Sequence, residues 1–204
     1  MSDQLSVAER AILVGVALSV VAGAALSGMV GVAGWLVVLA AVAAGWRYVP
    51  GFWRTTLAGA VGGVAAGVVI LGPGFRLAMR IVALTSSRPT IVPEFTIGGT
   101  LFIVILVGGV LGGMFGVGGA LLRRGLGLSR LMASSLMATL LIGMLLLDTG
   151  IRDEFVRLGA SLWVNIVMFG SIAFLYALAA NRIMERIGWI KSPERSLADS
   201  GVRG

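Results

Sequence analysis

Arg76 and Arg80 are the residues of this chain whose type and spacing best suit chemistry. They stand four apart, so on a helix both guanidinium groups leave one face. Two such groups make a fork that matches a carboxylate or a phosphate. Arg88 and Glu94 follow in a polar stretch, Ser86–Thr96, and complete a candidate ligand-binding set. Two readings compete. Arg76 or Arg80 paired with Glu94 would close the loop between two helices and do nothing else. Alternatively, the set is an outward-facing site for an anion, a lipid phosphate or a partner's carboxylate.

Residue types remove most other chemistries. The chain has no cysteine and no histidine. Thiol redox chemistry, thiolate metal sites and Cys nucleophiles are therefore excluded. So are the usual general base and the commonest metal and haem ligand. The single lysine, Lys191, lies in a polar tail, so a Schiff base buried among helices is excluded too. Acids are scattered. Asp148-Thr149-Gly150 reads as an interfacial turn, and Asp153-Glu154 is an isolated pair in a short loop. No cofactor or metal is expected, and catalysis is disfavoured.

The elements that must position these residues follow from composition. The chain is 58% hydrophobic and 12% charged over 204 residues. A soluble domain is about 25% charged, and this chain lacks the polar side chains to coat a soluble surface. Lipid around the outside removes that need. The expected fold is an all-α integral membrane protein, a bundle of about six transmembrane helices. A span needs about 20 apolar residues, with a range of about 17–25. The spans read as 11–27, 30–46, 55–71, 97–122, 131–147 and 158–180. The first two form a tight hairpin that turns at 27–31. The third stops at Gly72-Pro73-Gly74, because proline and paired glycines break helices, and a short Arg-bearing helix, 75–85, follows it. Residues 1–190 form one transmembrane domain, and 191–204 a disordered cytoplasmic tail.

The first span is expected to be retained rather than cleaved as a signal peptide. Asp3 and Glu9 leave its leading segment acidic, and Ser6-Val7-Ala8-Glu9 fits a capping box.

Most of the 31 glycines sit inside the apolar runs. Gly59, Gly63 and Gly67 recur at four-residue spacing, as do Gly108, Gly112 and Gly116, with Ala120 continuing the second stripe and Gly109 and Gly113 beside it. A weaker stripe in the first span is Gly15, Ser19, Gly23 and Ser27. Residues four apart share a helix face, and small ones let backbones approach closely in lipid. Such stripes serve internal packing or a homo-oligomer interface. Asn165, the only amide well inside a span, is expected to bond across helices.

Charge sets the orientation. With six spans, one side carries 11 basic residues and the other 5. The positive-inside rule then places both termini in the cytoplasm. The same rule accounts for the net charge of +7 without nucleic acid as a partner. Arg123-Arg124 read as orientation anchors.

Arg76-Leu77-Ala78-Met79-Arg80, Glu94-Phe95-Thr96-Ile97-Gly98-Gly99-Thr100-Leu101 and Arg123-Arg124 together resemble a pattern in bacterial multi-pass membrane proteins of unassigned function. The pattern is an Arg-bearing helix, a polar loop and a glycine-rich span ending in basic residues. It covers roughly 59–124 and transfers no ligand residues. It implies a bacterial inner-membrane location, and the use of Arg over Lys is compatible with a GC-rich bacterial genome. The expected function is non-enzymatic: helix packing as a homo-oligomer or as a subunit of a larger membrane complex. The second expectation is a small transporter or channel with a site at Arg76 and Arg80.

Overall fold

A computed structural model of the chain describes residues 5–25, 32–85, 96–147 and 162–187. Among the described residues every regular element is helical. Helix α1 is Val7–Ala25, α2 Val32–Tyr48 and α3 Phe52–Ala66. A π-helical segment, Gly67–Leu71, joins α3 to α4, Gly72–Thr85. Helix α5, Ile97–Ile103, passes through a second π segment, Val104–Leu111, into α6, Gly112–Leu126. Helices α7, Arg130–Leu147, and α8, Leu162–Arg186, complete the bundle. The hairpin tip at 27–31, Arg88, Glu94, Asp148, Asp153, Glu154 and the tail 191–204 lie outside the described residues.

Among the described residues three helices are long and apolar enough to cross a membrane: Phe52–Val82, Ile97–Leu126 and Trp163–Arg186. Even the shortest of these, with 24 residues, exceeds the ~30 Å hydrocarbon core at 1.5 Å per residue. Arg130–Met144 is a shorter apolar helix. Large apolar side chains face outward around the bundle, among them Leu39, Val69, Phe102 and Trp163.

Local chemistry sets several helix ends. Ser6 N–H donates to Glu9 Oε2 at 2.6 Å, and Glu9 N–H donates to Ser6 Oγ at 3.2 Å. This reciprocal pair starts α1 by satisfying two otherwise orphaned donors. Thr96 Oγ1 accepts from Gly99 N–H and caps α5. Gly51, at φ 67°, makes the α2–α3 turn in the left-handed region that favours glycine.

The third span differs from the expected break at Gly72-Pro73-Gly74. The helix runs continuously from Phe52 to Val82 and beyond. A proline ring inside an α-helix clashes with the carbonyl four residues back. The π segment widens the helix just before Pro73, and Gly72 N–H donates five residues back to Gly67 O. That wider turn lets the chain pass the proline. The flanking glycines serve packing rather than termination. A Cβ on Gly72 would stand 2.8 Å from Val104 Cα, and one on Gly74 would stand 2.7 Å from Ile172 Cγ2.

Among the described residues two apolar clusters hold the bundle. One gathers Phe75, Phe115, Phe169, Tyr176 and Met184, with Phe75 and Phe169 edge to face at 5.1 Å between ring centroids. The other gathers Leu13, Val16, Val49, Phe52 and Leu121 beneath the α2–α3 turn.

Candidate functional site

Helix α6 is the hub, and its glycines explain why. A Cβ on Gly59 would stand 2.7 Å from Gly116 O. One on Gly63 would overlap Gly112 O, and one on Gly67 would overlap Gly108 O. The two main stripes, Gly59-Gly63-Gly67 and Gly108-Gly112-Gly116, therefore face one another along one seam. The seam crosses where the two π segments meet. Gly118 lies against Val21 of α1, Gly125 against Leu13, and Gly119 against Met137 of α7. One helix touching neighbours on three sides needs small residues on three sides. Gly15 of α1 differs: a Cβ there would meet nothing within 4 Å.

At one end of the bundle the seam is fastened by charge. Arg123 is 2% exposed. Its Nη2 donates to Glu185 Oε1 at 2.6 Å, and its Nη1 donates to Asn181 Oδ1 at 3.4 Å. Asn181 Nδ2 donates to Ser134 Oγ at 3.0 Å and to Ala177 O. Arg130 Nη1 reaches Glu185 Oε2 at 3.4 Å. These contacts tie α6, α7 and α8 together. Arg124 donates to Thr55 Oγ1 at 2.9 Å and to Pro50 O at 2.6 Å, holding the α2–α3 turn against α6. The expected anchors thus have partners inside the protein. No signal along the sequence marked Arg123 as buried, because its partners lie 58 and 62 residues away.

At the opposite end, α4 carries Arg76 and Arg80. Arg76 is half-buried and points at α5, since a Cβ on Gly99 would stand 3.7 Å from its Nη2. Arg80, one turn further, is exposed. Both side chains make interactions. The structure therefore places two of the four candidate ligand residues at one end of the α4–α5 pair. The other two, Arg88 and Glu94, lie outside the described residues.

Asn165 does not make the expected interhelical bond. It is 2% exposed, and neither its amide oxygen nor its amide nitrogen has a hydrogen-bond partner. Asn165, Phe169 and Ala173 lie on one buried face of α8, and Asn181 is buried at the far end of the same helix. Asn181 is satisfied and Asn165 is not. Tyr176, between them, donates its hydroxyl to Gly112 O immediately after the second π segment.

No family model, curated protein or solved structure matches this chain. Function therefore rests on geometry alone. Among the described residues no three acids gather to hold a metal ion. A cavity of about 510 Å³ opens on the side of the seam away from α8. Its walls include Val20 of α1, Ala60 and Val64 of α3, and Ile105, Gly109 and Val117 on the facing helix. All are apolar, so the cavity offers packing and no acid–base chemistry.

Proposed function

We propose that this chain is a non-enzymatic, multi-pass protein of the bacterial inner membrane, acting as a preassembled helical scaffold. In this reading it works as a homo-oligomer or as a subunit of a larger membrane complex, with six spans and both termini cytoplasmic. The observation that carries the reading is the division of polar and small residues in the bundle. Glycines lock the interior at backbone contact, and the Arg123–Glu185 pair fastens one end. Outward faces are left to large apolar side chains. Such a surface suits lipid or other membrane helices.

The test is the assembly state of the purified protein. Light scattering in mild detergent should give a defined oligomer, or purification from native membranes should yield a stoichiometric partner. A strictly monomeric, partnerless protein would sink the proposal. The absence of cysteine makes topology easy to check. Ser6→Cys should react with an impermeant maleimide only from the cytoplasmic side, and Gly150→Cys only from the other.

A second reading is an anion or lipid-phosphate site around Arg76 and Arg80, within a small transporter or channel. It is favoured by the two cationic side chains one turn apart at the end of α4, with Arg76 beside the start of α5. Unchanged anion flux in liposomes for Arg76→Gln and Arg80→Gln, after robust wild-type flux, would remove it.

A further inference from the structure

At the end of the bundle that holds Arg123, the described arginines divide into two groups. Arg123, Arg124 and Arg130 bond within the protein. Arg47 and Arg54, on either side of the α2–α3 turn, are exposed, and neither makes an ion pair or hydrogen bond among the described residues. The described acids at this end are already engaged. Glu9 caps α1, and Glu185 takes both Arg123 and Arg130. The sequence after α8 supplies no surplus of acid either, since residues 191–204 carry Lys191, Arg195 and Arg203 against Glu194 and Asp199.

The turn between the two arginines is fixed from beneath. Val49 and Phe52 are buried, and Phe52 N–H donates to Val49 O at 3.2 Å. Arg124 spans the turn through Pro50 O and Thr55 Oγ1. Trp46 and Trp53 are left outside, each more than half exposed, with ring centroids 5.3 Å apart and planes at 49°. Each tryptophan is followed directly by one of the two arginines. Further along α2, exposed Leu39 and Leu36 lie about 20° and 80° from Trp46 at about 100° per residue. On α3, exposed Val61 lies about 80° from Trp53. Both helices therefore pass from apolar through aromatic to cationic toward the same end. Leu39 stands about 10 Å from Trp46 along the axis. A leaflet presents the same order: hydrocarbon, interface, phosphate.

We infer that the α2–α3 corner is a binding site for an anionic phospholipid, with Arg47 and Arg54 on its headgroup phosphate and the Trp46–Trp53 pair at the level of its glycerol. The inference rests on the membrane reading and adds a selective lipid to it. Charge complementarity selects the occupant: two exposed arginines on a rigid turn have no counter-charge from the described protein. The aromatic pair and the apolar faces beyond it favour a ligand with a hydrocarbon end over a wholly polar one.

The experiment uses the full-length protein in bilayers of phosphatidylcholine, with Trp35→Phe, Trp163→Phe and Trp189→Phe so that Trp46 and Trp53 alone report. Quenching by brominated phosphatidylglycerol is compared with quenching by brominated phosphatidylcholine. The corner should prefer phosphatidylglycerol by about twenty-fivefold, taking about fivefold for each arginine near the surface. Arg47→Gln and Arg54→Gln should each lower the preference about fivefold, and the double variant should bring it near parity. Arg182→Gln removes an equally exposed arginine of the same end, on α8, and should change it less than about twofold. These arginines are exposed, so melting temperatures should not move, and measuring them separates lost binding from lost folding.

Equal quenching by the two lipids would overturn the inference. So would an Arg182→Gln effect as large as that of Arg47→Gln, which would assign the preference to the net charge of the whole end. If inorganic phosphate restores the fluorescence as well as unbrominated phosphatidylglycerol does, the ligand is a free anion and the lipid is wrong. If neither lipid quenches Trp46 and Trp53, another protein surface covers the corner. The membrane reading fails separately, by release of the wild-type protein from native membranes in alkaline carbonate.

Discussion

Arg123 Nη2 lies 2.6 Å from Glu185 Oε1, joining α6 to α8 across 62 residues of sequence. The arginine is almost wholly buried and the glutamate is mostly so. A charge in that position is stable only while its partner remains. Removing one member of a buried pair costs about 3–5 kcal/mol, whereas replacing both with apolar residues is often near neutral. Glu185→Leu should therefore lower the thermal midpoint in detergent sharply. Arg123→Leu/Glu185→Leu together should recover much of the loss. A double variant as unstable as the two singles summed would mean that the pair is not coupled.

The glycine seam predicts a contrast between neighbouring positions. Gly63→Ala puts a methyl into Gly112 O, and the backbone there cannot move aside easily. Overpacking of this kind costs about 1–3 kcal/mol. Gly109→Ala meets nothing within 4 Å and should stay within about 0.5 kcal/mol of wild type. Equilibrium unfolding of the two variants in the same detergent checks the difference. Equal effects would show that helix propensity, rather than the seam, sets their stability.

The two buried amides of α8 should respond in opposite directions. Asn165 has no partner for either amide atom, so Asn165→Leu relieves a penalty of about 1–3 kcal/mol and should raise the melting temperature. Asn181 bridges Arg123, Ser134 and Ala177. Asn181→Leu strands Arg123 and should lower it. A fall on Asn165→Leu would reveal a partner for that amide.

Tyr176→Phe removes only the hydroxyl that bonds to Gly112 O. The loss should be about 1 kcal/mol, typical of one neutral hydrogen bond. Hydrogen exchange should rise locally around Gly112, where the second π segment passes into α6. Exchange that rises evenly across the bundle would place the effect elsewhere.

Much of this protein is legible in its sequence because the deciding forces are local or compositional. Apolar runs of span length mark the helices wherever their partners lie. The Ser6–Glu9 cap depends on residues three apart. The absence of histidine and cysteine excludes whole classes of chemistry without any fold at all. Glycines at four-residue spacing announce close packing, since helix periodicity alone places them on one face.

Tertiary structure decided which surfaces meet. Gly72-Pro73-Gly74 has the composition of a helix break, yet the helix continues, because a π turn absorbs the proline and Val104 and Ile172 require the glycines. Arg123 and Arg124 have the composition of surface anchors, yet both bond within the protein. Arg76 and Arg80 share a face by spacing alone. What that face meets depends on where α5 and α8 stand around α4. Helix periodicity places a side chain on a face, but only the packing of distant helices determines whether that face meets backbone, charge or lipid.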